Sequence, residues 1–240
     1  MINKARAAVV DCRASQEIIN NLLEYADRVI LMPPSPRLSL PVASHTDMLM
    51  WSCDNTILTY KHYIEIASTQ FDALRSLGLQ VIPVQEEAQS SYPCDVYLNC
   101  ALLGSCLIAN KRTASKAILR VAEEKGVCLL HTNQGYAKCS VCVVSDNAII
   151  TADRSIHAAA EKFGIDSLLI SEGGVALDGY DHGFIGGASG NDGECVFFCG
   201  NIELHPDSER IISFIEKHGK QFICLSDKPL YDLGTIMFFK

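Results

Sequence analysis

No stretch of this chain approaches the roughly 20 consecutive apolar residues that a membrane-spanning helix requires, and the N-terminus shows no long apolar run followed by a cleavage site. A cytosolic protein is expected. Basic residues are in short supply: 20 Lys and Arg against 28 Asp and Glu give a net charge of −8. They are also scattered, which argues against a surface that tracks nucleic-acid phosphates. A linker rich in proline, glycine and serine is missing, as is any low-complexity block. The nearest approach, Ser35 to Ser44, leads directly into an apolar segment. The 240 residues therefore read as a single domain, 1–240. There is no glycine-rich dinucleotide fingerprint, no P-loop and no nucleophile elbow around a serine, so no cofactor is expected.

Cysteine, by contrast, is plentiful, with 11 copies set inside apolar runs such as VCLLH, SVCVV and CVFFC. Buried reduced cysteine behaves as a small hydrophobe, and most of these read as core. The pairs Cys139/Cys142 and Cys195/Cys199 have near-zinc spacing. On an extended strand, an i,i+3 pair points to opposite faces, so no metal site is expected.

The dominant pattern is a helix that ends in glycine and hands over to a short apolar strand. It recurs at Gly78 ahead of QVIPV, Gly126 ahead of VCLLH, Gly164 ahead of DSLLIS and Gly219 ahead of QFICLS, with a glycine-free copy at EYADRVILM. Glycine suits the left-handed position just past a helix C-terminus. Ahead of four of the helices lies a strand–turn–strand pair: DMLMW/NTILTY, VYLNCALL/CLIA, KCSVCVV/AIIT and GFIGG/ECVFFC. Each unit is thus β-β-α-β. The closing strand GTIMFF has no helix after it, so the fifth unit is expected to combine it with the N-terminal strand AAVV and the helix Ser15–Ala26. The expected fold is an α/β ring of five such units closed by pairing of the two chain ends. A doubly wound α/β sheet would explain the alternation of strands and helices, but not two strands before each helix.

Two units align by their turns, SCDNTILT and VSDNAIIT, an offset that carries Asp47 onto Cys139. The same phase points to Asn99 in the second unit and to Gly186-Gly187 in the fourth. In a five-unit ring these polar openings would converge at one mouth. His45 and Asp47 would share a strand face, a pairing that can fix an imidazole tautomer or offer a carboxylate to a cation. The competing structural reading makes Asp47 a turn cap and His45 a surface residue. Cys139 follows a polar, glycine-containing run and is a candidate nucleophile if its thiol is activated; the alternative is one more core cysteine. The Asn99 amide could hold a polar group or satisfy backbone. Lys138, Gly186 and Gly187 join Asn99 as candidate substrate contacts, the glycines by letting backbone approach a ligand or another unit.

Taken together, the five β-β-α-β units, His45-x-Asp47 and Gly135-Tyr136-Ala137-Lys138-Cys139 resemble the pentein fold. This is the α/β propeller of guanidino-group modifying enzymes: arginine and agmatine deiminases, dimethylargininase and amidinotransferases. NQGYAKCSVCVV, DHGFIGGASG and LGTIMFF look more narrowly like an uncharacterised bacterial branch of it. The resemblance implies a hydrolase or transferase acting on a guanidino or amidine small molecule. Cys139 would attack the guanidinium carbon, His45 would move protons, and Asp47 and Asn99 would orient the substrate. Taking Cys100 as nucleophile restores the family's strand order, and a third register puts Ser189 there. The acidic strand of the characterised enzymes is not evident, and a non-catalytic ligand- or protein-binding member of the same fold is the alternative. The oligomeric state is not legible.

Overall fold

The computed structural model describes residues 4–240. Five of its six sheets are three-stranded and built to one plan. Met50–Cys53, Thr56–Tyr60 and Gln80–Val84 form the first. Ala101–Leu103, Cys106–Ala109 and Cys128–His131 form the second, and Cys142–Ser145, Ala148–Thr151 and Asp166–Leu169 the third. Ser189–Asn191, Cys195–Phe198 and Gln221–Cys224 make the fourth. In each, the first two strands are antiparallel and the last two parallel. A parallel partner requires a crossover, and helical segments supply it. The fifth sheet draws on both ends of the chain, as expected: Ala7–Asp11 pairs antiparallel with Met237–Phe239 and parallel with Val29–Met32. A short parallel ribbon, Val175–Ala176 with Leu230–Tyr231, is the sixth. Among the described residues no sheet closes on itself into a barrel.

The helices follow their apolar stripes. Lys116–Glu124 buries Ile118 and Ala122, Arg154–Lys162 buries Ile156 and Ala160, and Ser208–Lys217 buries Ile211, Phe214 and Ile215, the i, i+3 and i+4 spacing of one helix face. Side-chain oxygens of Ser15, Ser115 and Asp153 accept from the first-turn N–H groups, satisfying donors that the helix itself cannot. All four predicted C-terminal glycines have positive φ, between +67° and +85°. The helical segment that ends at Gly78 divides into Lys61–Ile66 and Ser68–Ser76, because Ala67 leaves helical geometry at φ −103°, ψ 34°.

First strands of different sheets pack together: Ser189–Asn191 lies against both Cys142–Ser145 and Met237–Phe239, and Ala101–Leu103 against Cys142–Ser145. These strands begin later than the sequence suggests, at Met50, Ala101, Cys142 and Ser189. The polar residues ahead of them coil into turns. Thr46–Leu49 and Ala137–Ser140 are single helical turns. Asn99 closes a turn, its N–H donating to Val96 O at 3.0 Å, and the segment over 183–188 is irregular chain running into a turn at 185–188 rather than a strand. Thr, Asp and Asn side chains offer backbone groups partners other than a sheet ladder, and here the turns bond to one another.

Candidate functional site

Five turns, one leading into each three-stranded sheet, are joined in a closed circle of hydrogen bonds. Asp47 N–H donates to Gly234 O at 3.0 Å, and Asn99 Nδ2 donates to Asp47 O at 3.3 Å. The Lys138 and Cys139 N–H groups both donate to Asn99 Oδ1, at 2.8 and 3.1 Å. Gly187 N–H then donates to Cys139 O at 2.9 Å, and Thr235 N–H to Gly187 O at 2.8 Å. The Thr46 hydroxyl adds a contact at 2.6 Å to Gly234 O. Buried backbone groups must find partners, and here the partners belong to neighbouring turns.

Inside this circle three of the sequence candidates meet. The Cys139 thiol donates to Asp47 Oδ2 at 3.1 Å, and Asn99 Nδ2 donates to Cys139 Sγ at 2.9 Å. All three residues are buried. His45, also buried, has both ring nitrogens without a partner, as does Asp47 Oδ1. A second buried carboxylate, Asp232, accepts from Phe184 N–H at 2.9 Å and Gly234 N–H at 3.0 Å, with His45 Nδ1 3.7 Å away.

His45 and Asp47 do not lie on a strand as the sequence suggested. His45 precedes the helical turn Thr46–Leu49, and Asp47 is inside it. Cys139 likewise sits in a helical turn. Lys138 turns away from the thiol, its Nζ 2.5 Å from Thr235 Oγ1. Gly186 and Gly187 are needed by the protein itself: a Cβ on Gly186 would strike the carbonyl oxygens of Lys138, Cys139 and Val141, and one on Gly187 would strike Asp232. Cys100 and Ser189, the other candidate nucleophiles, line a separate cavity of about 260 Å³ together with Asp47, Lys138 and Thr235.

A cavity of about 280 Å³ reaches His45, Cys139 and Asp232. Its walls include Met48, Tyr136 and Phe184, with Tyr180, Asp181 and His182 also lining it. The Tyr136 and Phe184 rings are stacked, centroids 6.2 Å apart. Burial pushes the Asp47 carboxyl up to about 6, against the opposing pull of Lys138. It pushes Asp232 up to about 7, helped by the Asp47 charge. The Cys139 thiol is raised well above its ordinary value by burial and by both carboxylates. His45 drops to about 3, because burial and the nearby Arg13 charge disfavour the imidazolium, so it is neutral near pH 7. The arrangement is therefore short of positive charge and rich in acceptors, with a thiol held in reserve.

A family model described as "Family of unknown function (DUF6873)" matches residues 9–237. The chain belongs to this family. No curated protein matches its sequence. Among solved structures, a DDAH from Pseudomonas aeruginosa, a cysteine-to-serine mutant complexed with citrulline, is similar with a TM-score of 0.54 at 8% identity, covering 92% of each chain. An amidinotransferase from Microseira wollei in the saxitoxin biosynthetic pathway has a TM-score of 0.56 at 9% identity, covering 92% of this chain and 89% of that one. A C. jejuni agmatine deiminase has a TM-score of 0.55 at 9% identity, covering 95% and 88%. The likeness is one of fold: this DUF6873 chain has the mixed α/β architecture of the pentein-fold structures.

Two residues of the DUF6873 site escaped the sequence reading. Asp232 and Thr235 both flank Gly234, in the run YDLGTIMFF. Thr235 has φ +73°, an unusual conformation for a β-branched residue. Its hydroxyl donates to Gly186 O at 2.6 Å and accepts from Lys138 Nζ. Gly234 admits no Cβ, which would collide with His45.

Proposed function

We propose that the protein is a cysteine-dependent hydrolase or transferase acting on a guanidino or amidine compound, on a five-bladed α/β propeller scaffold that is a single domain. The circle of turn-to-turn hydrogen bonds, one turn per three-stranded sheet, supports the five-bladed arrangement. The observation that carries the activity is the Cys139 thiol 3.1 Å from Asp47, at a cavity that Asp232 also lines. A planar cation with several N–H donors is the natural complement of the buried Asp232 carboxylate and an aromatic wall. Eleven unpaired cysteines support a reducing, cytosolic setting.

In this reading the cation changes the electrostatics that keep Cys139 protonated. With positive charge beside Asp232 and the sulfur, the thiol proton passes to Asp47, its hydrogen-bond partner, and the sulfur adds to the central carbon. The C=N electron pair moves onto nitrogen as the C–S bond forms. Asp47 then returns the proton to the departing nitrogen, the C–N bond breaks, and a thiouronium remains on Cys139. Water, or an acceptor amine in a transferase, adds to that carbon and loses its proton to a carboxylate. The C–S bond breaks and the thiol reforms. The unpartnered nitrogens of His45 contact the substrate; as a neutral imidazole of depressed basicity it orients more than it transfers protons.

A non-catalytic binding protein is the second reading, favoured by how strongly the free thiol is held protonated. Chloroacetamidine separates the two, since the amidinium supplies the missing charge next to the sulfur. Selective alkylation of Cys139 at neutral pH, detected by mass spectrometry and faster than with neutral iodoacetamide, supports the enzyme. Equal, slow labelling by both reagents leaves the binding protein.

A further inference from the structure

The charge distribution around the cavity is one-sided from its floor outward. Asp232 is at the buried end and Asp181, on an exposed loop, is among the lining residues. Among the described residues no lysine or arginine lines it. The two nearest candidates are committed elsewhere. Lys138 holds Thr235 and lines the other cavity, and Arg13 is paired with Asp11 and bonded to Pro41 O. His182 has its Nδ1 3.0 Å from Gly183 O, a carbonyl that only an N–H can satisfy, so in the neutral ring its Nε2 is left as an acceptor. The N–H of Phe184, a backbone donor on this wall, is taken by Asp232.

A guanidino amino acid would bring a carboxylate into this setting, where it would find like charges and acceptors in place of an Arg or Lys fork. An ammonium at the same place would find Asp181 and His182 Nε2. Val42, Met48 and Leu177, the apolar lining, suit an alkyl chain between two charged ends.

We propose that the compound bound here is a guanidinoalkylamine: a dication with its guanidinium toward Asp232 and Cys139, an amine toward Asp181, and no carboxylate. This rests on the guanidino reading above and narrows it.

The test is isothermal titration of the full chain carrying Cys139→Ala, which removes turnover, with Cys139→Ser as a second variant if the first folds poorly. Three probes are compared at fixed ionic strength: agmatine, which is arginine without its carboxylate; arginine; and methylguanidine, which has no second charge. The expected result is agmatine binding at least about tenfold tighter than arginine and several-fold tighter than methylguanidine, a range consistent with one or two partly exposed charge pairs. Adding Asp181→Asn should bring agmatine down to the affinity of methylguanidine while methylguanidine itself is unmoved. Arginine binding as tightly as agmatine overturns the proposal and leaves the guanidino site standing. Agmatine unaffected by Asp181→Asn overturns the placement of the amine. Binding of none of the three removes the guanidino reading and this proposal with it.

Discussion

Thr46–Leu49 and Ala137–Ser140 are each one helical turn long, and each runs into the first strand of its sheet. The first is fastened at one carbonyl, Gly234 O, which accepts from both the Asp47 N–H and the Thr46 hydroxyl. The N–H groups of the second are held by a side chain, Asn99, whose carbonyl accepts from two of them in succession while its amide reaches the thiol, and the turn's Cys139 carbonyl accepts from Gly187 N–H. One turn presents a carboxylate and the other a thiol, and the two groups bond to each other. A repeated unit thus supplies position, and single substitutions at that position supply the chemistry.

The largest effect expected from breaking this pair is on turnover of a guanidino substrate. Asp47→Asn and Cys139→Ser should each lower kcat by about a thousandfold or more. The two variants should then part company. Asp47→Asn removes a negative charge beside the sulfur, so Cys139 should alkylate with iodoacetamide faster than in the native protein, by rate comparison at one pH. An unchanged or slower thiol would mean that Asp47 does not hold the proton there.

Next comes the fastening. Asn99→Leu leaves the Lys138 and Cys139 N–H groups buried without acceptors and should cost about 2–4 kcal/mol in urea unfolding. Thr46→Val, which removes one of the two bonds to Gly234 O, should cost about 1 kcal/mol, because the Asp47 N–H bond survives. Equal losses would erase the asymmetry between the two turns.

Between these in size is a pH effect. The folded-state values of Asp47 and Asp232, about 6 and about 7, lie above the ordinary carboxyl value of 3.8. The folded protein therefore binds more protons than the unfolded chain between those limits, and this contribution to stability is full below pH about 4 and lost as pH rises through about 7. His45, depressed to about 3, works the opposite way as pH falls below 6.5. Comparing native protein with Asp232→Asn isolates one carboxyl: between pH 5 and 6 the native protein should lose up to about 1.4 kcal/mol relative to the variant. A difference that stays flat with pH would place Asp232 in contact with water.

The repeat itself was written plainly in the sequence, because a glycine at each helix end and a strand pair before each helix are local signals. Aligning two turns was enough to give Asp47 and Cys139 equivalent positions in their units and to point to Asn99 in a third. The coil of those segments was not legible, since a single helical turn is too short to show a period. Asp232 was not legible either. Its role comes from distant contacts with Phe184, Gly187 and His45, which no local pattern reports.

The pairing of Met237–Phe239 with Ala7–Asp11 has a consequence for the order of events during synthesis. The carbonyl of Gly234 that anchors Asp47, the Asp232 carboxylate and the Thr235 hydroxyl leave the ribosome after His45, Asp47, Asn99 and Cys139. A nascent chain can fold its earlier units and still lack a finished pocket, so the thiol and its carboxylate neighbours come under shared control only when the last strand docks.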